Sequence, residues 1–377
     1  MFLIVSLNKG EYMKGRILIF NWMDIKNPNA GGQEKYCFEI GRRLARDGMK
    51  VYWITSKYPN SSSYEIFEGI HIIRSGNIYS VFFTSIFKYF TYRKESCFLI
   101  SLNSVPFLLP FSRNRRIVFL HHRIDIRVML QKVRMLGYIS YILQEYINPI
   151  IFRNDQILTN SSSSKLDFKS IGYKNVEVVK LGVDIPVNSH LPKRKLCISP
   201  GPIKPWKHHE MVINAFSSLP SDWELSIFGT FESEDYRKSL YLLCSKLKIE
   251  ERVHFLGRIS DQELKLQYEQ SSICILGTEK EGWGIVAMEA QSYGCPIVAF
   301  DVPGIRDSVI NGVTGILLKF GDVVGMAKAL NLLSNDYETL RRLSINAVNR
   351  ANEFSWEKSY RDFIKKINCN GMLKELA

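Results

Sequence analysis

The chain predicts an α/β protein of two domains, each a mostly parallel sheet with helices on both faces. Three observations lead there. At 377 residues it is long enough for two domains of ordinary size. Short apolar runs alternate with helical stretches throughout, the pattern of parallel strands joined by crossover helices. A Pro- and Lys-rich stretch, residues 185–195, interrupts the alternation, which then restarts.

Taken in order, residues 1–14 read as an N-terminal extension, with Met13 as an alternative start. MFLIVSL is short and lacks both a basic lead and a small-residue cleavage site, so it makes a poor signal peptide. The first domain is placed at 15–185. Its strands are expected at 16–20, 51–55, 97–102, 117–120, 156–159 and 176–180. Residues 32–48 predict a helix: Tyr36, Ile40, Leu44 and Ala45 recur at helical spacing and Gly48 closes it. Residues 129–152 predict a long helix, kinked or ended near Pro149. The second domain is placed at 186–355. Strands are expected at 196–199, 223–228, 253–256, 273–276, 297–300 and 315–318, with helices at 209–218, 239–247, 322–333 and 336–353. A last helix follows at 356–367. No internal repeat or low-complexity tract is present.

Composition narrows the function classes. No apolar run is long enough to span a bilayer. Seven scattered cysteines without C-x-x-C spacing argue against a disulfide framework and a zinc site, and fit a reducing cytoplasm. The net charge is +13, and residues 1–185 carry +12 of it. A basic half suits an anionic membrane surface or an acidic substrate; a solvated basic face is the plain alternative. No helix-turn-helix, zinc-finger or RNA-binding signature occurs, so nucleic acid is not expected as a partner.

The most informative segment is EGWGIVAMEAQSYGCPIVAF, residues 281–300. A Gly-Trp-Gly turn opens a helix near Gly284, with Glu281 in the loop before it and Glu289 more than a turn inside. Free N–H groups and the positive dipole end meet at a helix start, a natural seat for a diphosphate. Gly282 and Gly284 let a ligand approach the backbone. Glu289 directly follows an apolar run and needs a partner if buried. This segment resembles the Glu-x7-Glu signature of family 4 glycosyltransferases, retaining enzymes of the GT-B fold, in which two Rossmann-like domains face each other across a cleft.

Other landmarks fall in that family's order. Asn27-Pro-Asn-Ala-Gly31-Gly32 opens the helix after the first strand and does not fit G-x-G-x-x-G. It resembles the family's Gly-Gly loop beside the donor diphosphate. His121-His122 ends a strand, where α/β proteins place ligands. His121 matches the family histidine beside the donor sugar, and either His121 or His122 enters the site. Gly201-Pro-Ile-Lys-Pro-Trp-Lys207 resembles the Gly-Arg-x4-Lys element, with Lys207 on the phosphate-neutralising lysine. Pro202 stands where the family has Arg, and Lys204 is the candidate to replace its charge, as a point charge and not a fork. Asn160-Ser161 and Leu181-Gly-Val-Asp184 resemble the family's end-of-domain strand and turn, and 302–315 its post-donor loop. Phe228-Gly229 and Leu256-Gly257-Arg258 resemble strand ends lining the nucleotide pocket.

The resemblance, which runs from about 17 to 367 and is weak over 58–116, implies a hexosyltransferase. A nucleotide-diphosphate sugar, uridine favoured over guanosine, would lie on the second domain, and a glycan or lipid-linked acceptor on the first. Helix 356–370 would cross back to the first domain. Lys207, Lys204 and the backbone from Gly282 through Trp283 and Gly284 to Ile285 and Val286 would hold phosphates. Glu289 would take the ribose, Glu281 the sugar hydroxyls, and His121 would steady the sugar. No separate cofactor is expected. Without Asp-x-Asp, neither is a metal-bound diphosphate. Aromatic and basic residues mix at 81–94, and 129–152 is rich in Tyr, Ile and Leu. These suit either a membrane-docking face or ordinary core helices. The reading is therefore a cytoplasmic enzyme of cell-surface polysaccharide or glycolipid synthesis, peripheral on the inner face of the membrane. Its rivals are a nucleotide-sugar epimerase of the same fold and a non-catalytic sugar-binding relative.

Overall fold

A computed structural model describes residues 15–94, 96–102, 105–107, 109, 116–120, 123, 134–186 and 193–367. It divides into two compact units. The first comprises Met1–Thr159, Lys165–Val179 and Tyr360–Ala377; the second, Asn160–Ser164 and Lys180–Ser359.

The first unit holds an eight-stranded sheet. In chain order its strands are β1 (Arg16–Phe20), β2 (Lys50–Thr55), β3 (Tyr64–Phe67), β4 (Ile70–Arg74), β5 (Ser96–Leu102), β6 (Arg116–Leu120), β7 (Gln156–Thr159) and β8 (Val176–Val178). Across the sheet the order is β3-β4-β2-β1-β5-β6-β7-β8. All pairs are parallel except β3 with β4. Every residue of the central β5 is buried, which is why it reads as one unbroken apolar run. The β3–β4 hairpin escapes the sequence reading. Its turn residues Glu68 and Gly69 both have positive φ, 50° and 78°, the two-residue turn that matches strand twist. Glu-Gly is a weak signature for such a turn.

One helical reading holds over its described part, and one changes at its start. The described part of 129–152 runs Arg134–Ile142, then a π turn Leu143–Ile147, then Asn148–Ile151. The π turn thus comes just before Pro149, and the helix ends two residues after it, as the sequence predicts. Pro149 lacks an N–H and crowds the carbonyl four residues back, and the π turn absorbs that misfit. The helix expected at 239–247 spans Glu234–Leu247, because Ser233 accepts the Tyr236 N–H and caps it earlier.

The second unit holds β9 (Leu196–Pro200), β10 (Glu224–Phe228), β11 (Val253–Gly257), β12 (Ile273–Leu276), β13 (Ile297–Phe300) and β14 (Gly315–Leu318), ordered β11-β10-β9-β12-β13-β14 and parallel throughout. The chain runs outward from β9 through β10 to β11. It then returns to the other side of β9 as β12. The strand order therefore switches between β9 and β12, where α/β sheets open a crevice at their carboxyl ends. One apolar core lies beneath it, from Ile198 and Ile227 in the sheet to Phe216, Ala290 and Leu330 on helices.

Candidate functional site

The loops after β9 and β12 flank this switch point, and they carry most of the sequence candidates. After β9, Lys204 leads into a single 3-10 turn, Pro205–Lys207, and then the helix His209–Phe216. His208 joins turn to helix in the left-handed region, φ 48° and ψ 48°. That conformation strains a non-glycine residue, and such strain gathers at functional sites. After β12, the chain passes through Gly277 and Glu279 to Glu281.

The two loops are fastened together. Glu279 N–H donates to Trp206 O (3.3 Å). Lys207 Nζ forms an ion pair with Glu281 Oε1. The His208 ring lies between Glu210 (2.8 Å) and Glu279 (3.7 Å). Gly277 is required there, since a Cβ would sit 2.6 Å from His208 O and 2.9 Å from Lys207 O. The neighbouring His209 is buried, and burial, then the Lys207 charge beside it, push its imidazole down to about 3.

The helix expected near Gly284 spans Ile285–Ser292, with Gly284 as its N-cap at φ 76°. Glu281 precedes it and Glu289 lies in its second turn. The Glu289 carboxylate accepts the Tyr268 hydroxyl (3.3 Å). Burial, then that carboxylate, push the Tyr268 hydroxyl well above its ordinary value. The Trp283 side chain is 2% exposed and packs on Phe354 (5.2 Å), so Trp283 can offer a ligand only its backbone. Ile285 and Val286 supply first-turn N–H groups, which have no acceptor within a helix.

The remaining candidates divide. Lys204 Nζ lies 3.6 Å from Glu232 and 5.0 Å from the Trp206 ring centre. At the ends of β9, β10 and β11 stand Gly201, Gly229 and Gly257, all with positive φ. Gly229 N–H donates to Gly257 O (2.8 Å), and a Cβ on Gly229 would lie 1.9 Å from Gly201 O. This packed row of backbone brings the strand ends close together. Arg258 is exposed. In the first unit, Gly31 caps the helix Gly32–Arg46, and its N–H donates to Glu34 Oε2 (2.9 Å). His121 and His122 lie outside the described residues. Sequence reasoning missed His208, Tyr268 and Gly277. Only Gly277, a glycine directly after a strand, left a signal.

Among the described residues, no group of His, Cys, Asp and Glu could hold a metal ion. The six described cysteines are buried, and none of them is in a disulfide.

Two family models match the chain consecutively: Glycosyltransferase Family 4 over residues 30–186 and Glycosyl transferases group 1 over 184–350. An uncharacterized glycosyltransferase of Haemophilus influenzae is 32% identical over 182 residues, 45% of this chain and 50% of that protein. A D-inositol 3-phosphate glycosyltransferase of Nocardia farcinica is 36% identical over 118 residues, 31% of this chain and 26% of that protein. The matches thus span between a quarter and a half of these relatives' lengths. Sucrose-phosphate synthase from Thermosynechococcus elongatus shares the fold at a TM-score of 0.76 and 19% identity, covering 93% of this chain and 98% of that one. Anabaena Alr3699/HepE, solved with UDP-glucose, does so at 0.69 and 16%, with the same coverage. The two matched models, which together cover residues 30–350, and the two parallel-sheet α/β units identify this chain as a family 4, group 1 glycosyltransferase of the GT-B fold.

Proposed function

We propose that the chain transfers a hexose from a nucleotide-diphosphate sugar, with retention, to a saccharide or lipid-linked acceptor in glycan synthesis. The observation that carries this reading is the Lys207–Glu281 pair at the switch point, directly before the Gly284 helix start that bears Glu289. Positive charge and the Glu281 carboxylate stand directly before the free N–H groups of the helix start, and Glu289 follows in its second turn, which suits a diphosphate flanked by hydroxyl-rich groups.

In this reading Lys207 exchanges Glu281 for the donor diphosphate and neutralises it as it leaves. Lys204 adds charge, and the first-turn N–H groups of the Gly284 helix hold phosphate oxygens. Glu289, held by Tyr268, takes the ribose hydroxyls, and Glu281, once freed, takes sugar hydroxyls. Gly229 and Arg258 border the base, and Gly31, Gly32 and His121 keep the roles that the family resemblance implies for them. Stabilising the departing diphosphate and the cationic sugar centre is the main catalytic task. With no assigned covalent nucleophile, attack comes from the face the diphosphate leaves. The UDP-glucose complex of the Anabaena neighbour supports a uridine donor.

A peripheral membrane position belongs to the same reading. Helix Val81–Tyr92 exposes Phe83 (70%), Phe87 (74%) and Phe90 (47%), and the helical stretch from Arg134 to Ile151 exposes Met135, Tyr138, Tyr146 and Ile150. These faces are open to solvent, and they belong to the basic half of the chain. No helix of the described residues is long and apolar enough to cross a membrane.

The deciding experiment is thermal shift with UDP, GDP, ADP, TDP and CMP. UDP should raise the melting temperature of the wild type and not of Glu289→Ala, since a ligand that binds only the folded state must stabilise it. Transfer of labelled sugar to an acceptor, as against mere isomerisation of the donor, then separates this reading from an epimerase. No shift with any nucleotide would refute it.

A further inference from the structure

One carboxylate outside the constellation above ties the start of the helix Ser162–Ser170 to two loops. Asp307 lies on the short helix Ile305–Ser308 after β13. Its Oδ1 accepts the N–H groups of Ser162 (2.9 Å) and Ser163 (3.3 Å). Its Oδ2 accepts the N–H of Gly304 (3.2 Å). Gly304 in turn lies against the backbone of Glu281: a Cβ there would be 2.3 Å from Glu281 O, at a φ of 87°. Next to it, Glu281 N–H donates to Pro303 O (3.0 Å). Gly284 packs on the same short helix, with Ile305 Cδ1 and Ser308 Oγ each 3.0 Å from where its Cβ would be. Ser164 Oγ donates to Gly282 O (3.4 Å). The segment Asn160–Ser164 and the loops 281–284 and 302–307 therefore form one platform, with the Asp307 carboxylate at its joint.

We propose that Asp307 is a positioning residue for Glu281, fixing the backbone from which the Glu281 carboxylate meets Lys207 and, by the reading above on which this rests, the transferred sugar. The physical basis is the number of acceptor sites. An ionised carboxylate has two oxygens and satisfies three backbone donors at once. Asparagine keeps one acceptor and turns an NH2 toward a donor. Alanine leaves all three donors without this partner. A displacement of about 1 Å in a reacting group is enough to cost roughly a hundredfold in rate. Glu289 sits on the following helix, where Tyr268 holds its carboxylate, so nucleotide affinity should change little.

The test uses the full chain with Asp307→Asn and Asp307→Ala. Expected for Asp307→Ala is a fall in kcat of about tenfold to a hundredfold, with the apparent affinity for UDP within about twofold of wild type. Asp307→Asn should fall between. Hydrogen exchange at the amides of residues 281–284 should speed up in the same order. If Asp307→Ala does not fold, Asp307→Asn and Ser164→Ala decide the matter by the same readouts. Wild-type kcat and exchange in folded variants would overturn the proposal, as would a kcat loss with exchange at 281–284 unchanged. If the wild type transfers no sugar, the functional reading fails by itself, and the exchange data still decide the role of Asp307.

Discussion

Lys207 and Glu281 neutralise each other, so removing either leaves the other half-buried and uncompensated. Glu281→Ala should therefore keep or raise the affinity for a nucleoside diphosphate, because Lys207 no longer has a competitor. Turnover should fall at least tenfold, since the sugar hydroxyls lose their acceptor. Titration of binding alongside steady-state kinetics checks both halves, and weaker UDP binding in this variant would contradict the assignment. His209 supplies a pH prediction. Folded, its imidazole is held down to about 3 by burial; unfolded, it titrates near 6.5. The unfolded chain binds more protons throughout that window, so this contribution is complete above pH 6.5 and lost as the pH falls toward 3. The slope is at most about 1.4 kcal/mol per pH unit. Melting temperatures between about pH 7 and pH 5 should fall more steeply in the wild type than in His209→Gln.

Glycines at strand ends decide how closely the loops of the second unit approach one another. Gly229 and Gly257 both have positive φ, but only Gly229 is also enclosed, with Gly201 O where a Cβ would go. Gly257→Ala meets no atom within 4 Å and should cost only the left-handed strain, about 1–2 kcal/mol. Gly229→Ala adds a backbone clash and should cost on the order of 3 kcal/mol or more. Denaturant unfolding of the two variants separates strain from clash, and equal losses would contradict the packed row. The π turn Leu143–Ile147 shows a similar local adjustment, letting the helix include Pro149 before it ends at Ile151.

At the scale of the whole molecule, net positive charge and an exposed aromatic helix face fall in the same half of the chain. Residues 1–185 carry +12 of the net +13, and the helix Val81–Tyr92 within them turns three phenylalanines to solvent. Exposed aromatics supply apolar insertion, and clustered basic residues supply attraction to anionic lipid. The protein should co-sediment with anionic vesicles at low salt and release in high salt. The double variant Phe83→Ser with Phe87→Ser should bind at least tenfold more weakly at an unchanged melting temperature, because exposed side chains contribute little to stability. Wild-type binding by that variant would rule this face out.

What the sequence determined by itself was set by local physics. Buried strands read as apolar runs, and helix starts as turns with glycine, so the two parallel sheets and the Gly284 helix with Glu281 and Glu289 at their places were legible. The β3–β4 hairpin was not, because Glu68-Gly69 is a poor turn signature whose conformation is imposed by strand twist. Tertiary structure alone decided the partners. Lys207 and Glu281 are 74 residues apart, Tyr268 and Glu289 are 21, and Ser162 and Asp307 are 145. No spacing rule reaches across such separations. These pairs meet because β12 returns beside β9 and because Asn160–Ser164 groups with the second unit, which follows from burying apolar strand faces across the whole chain.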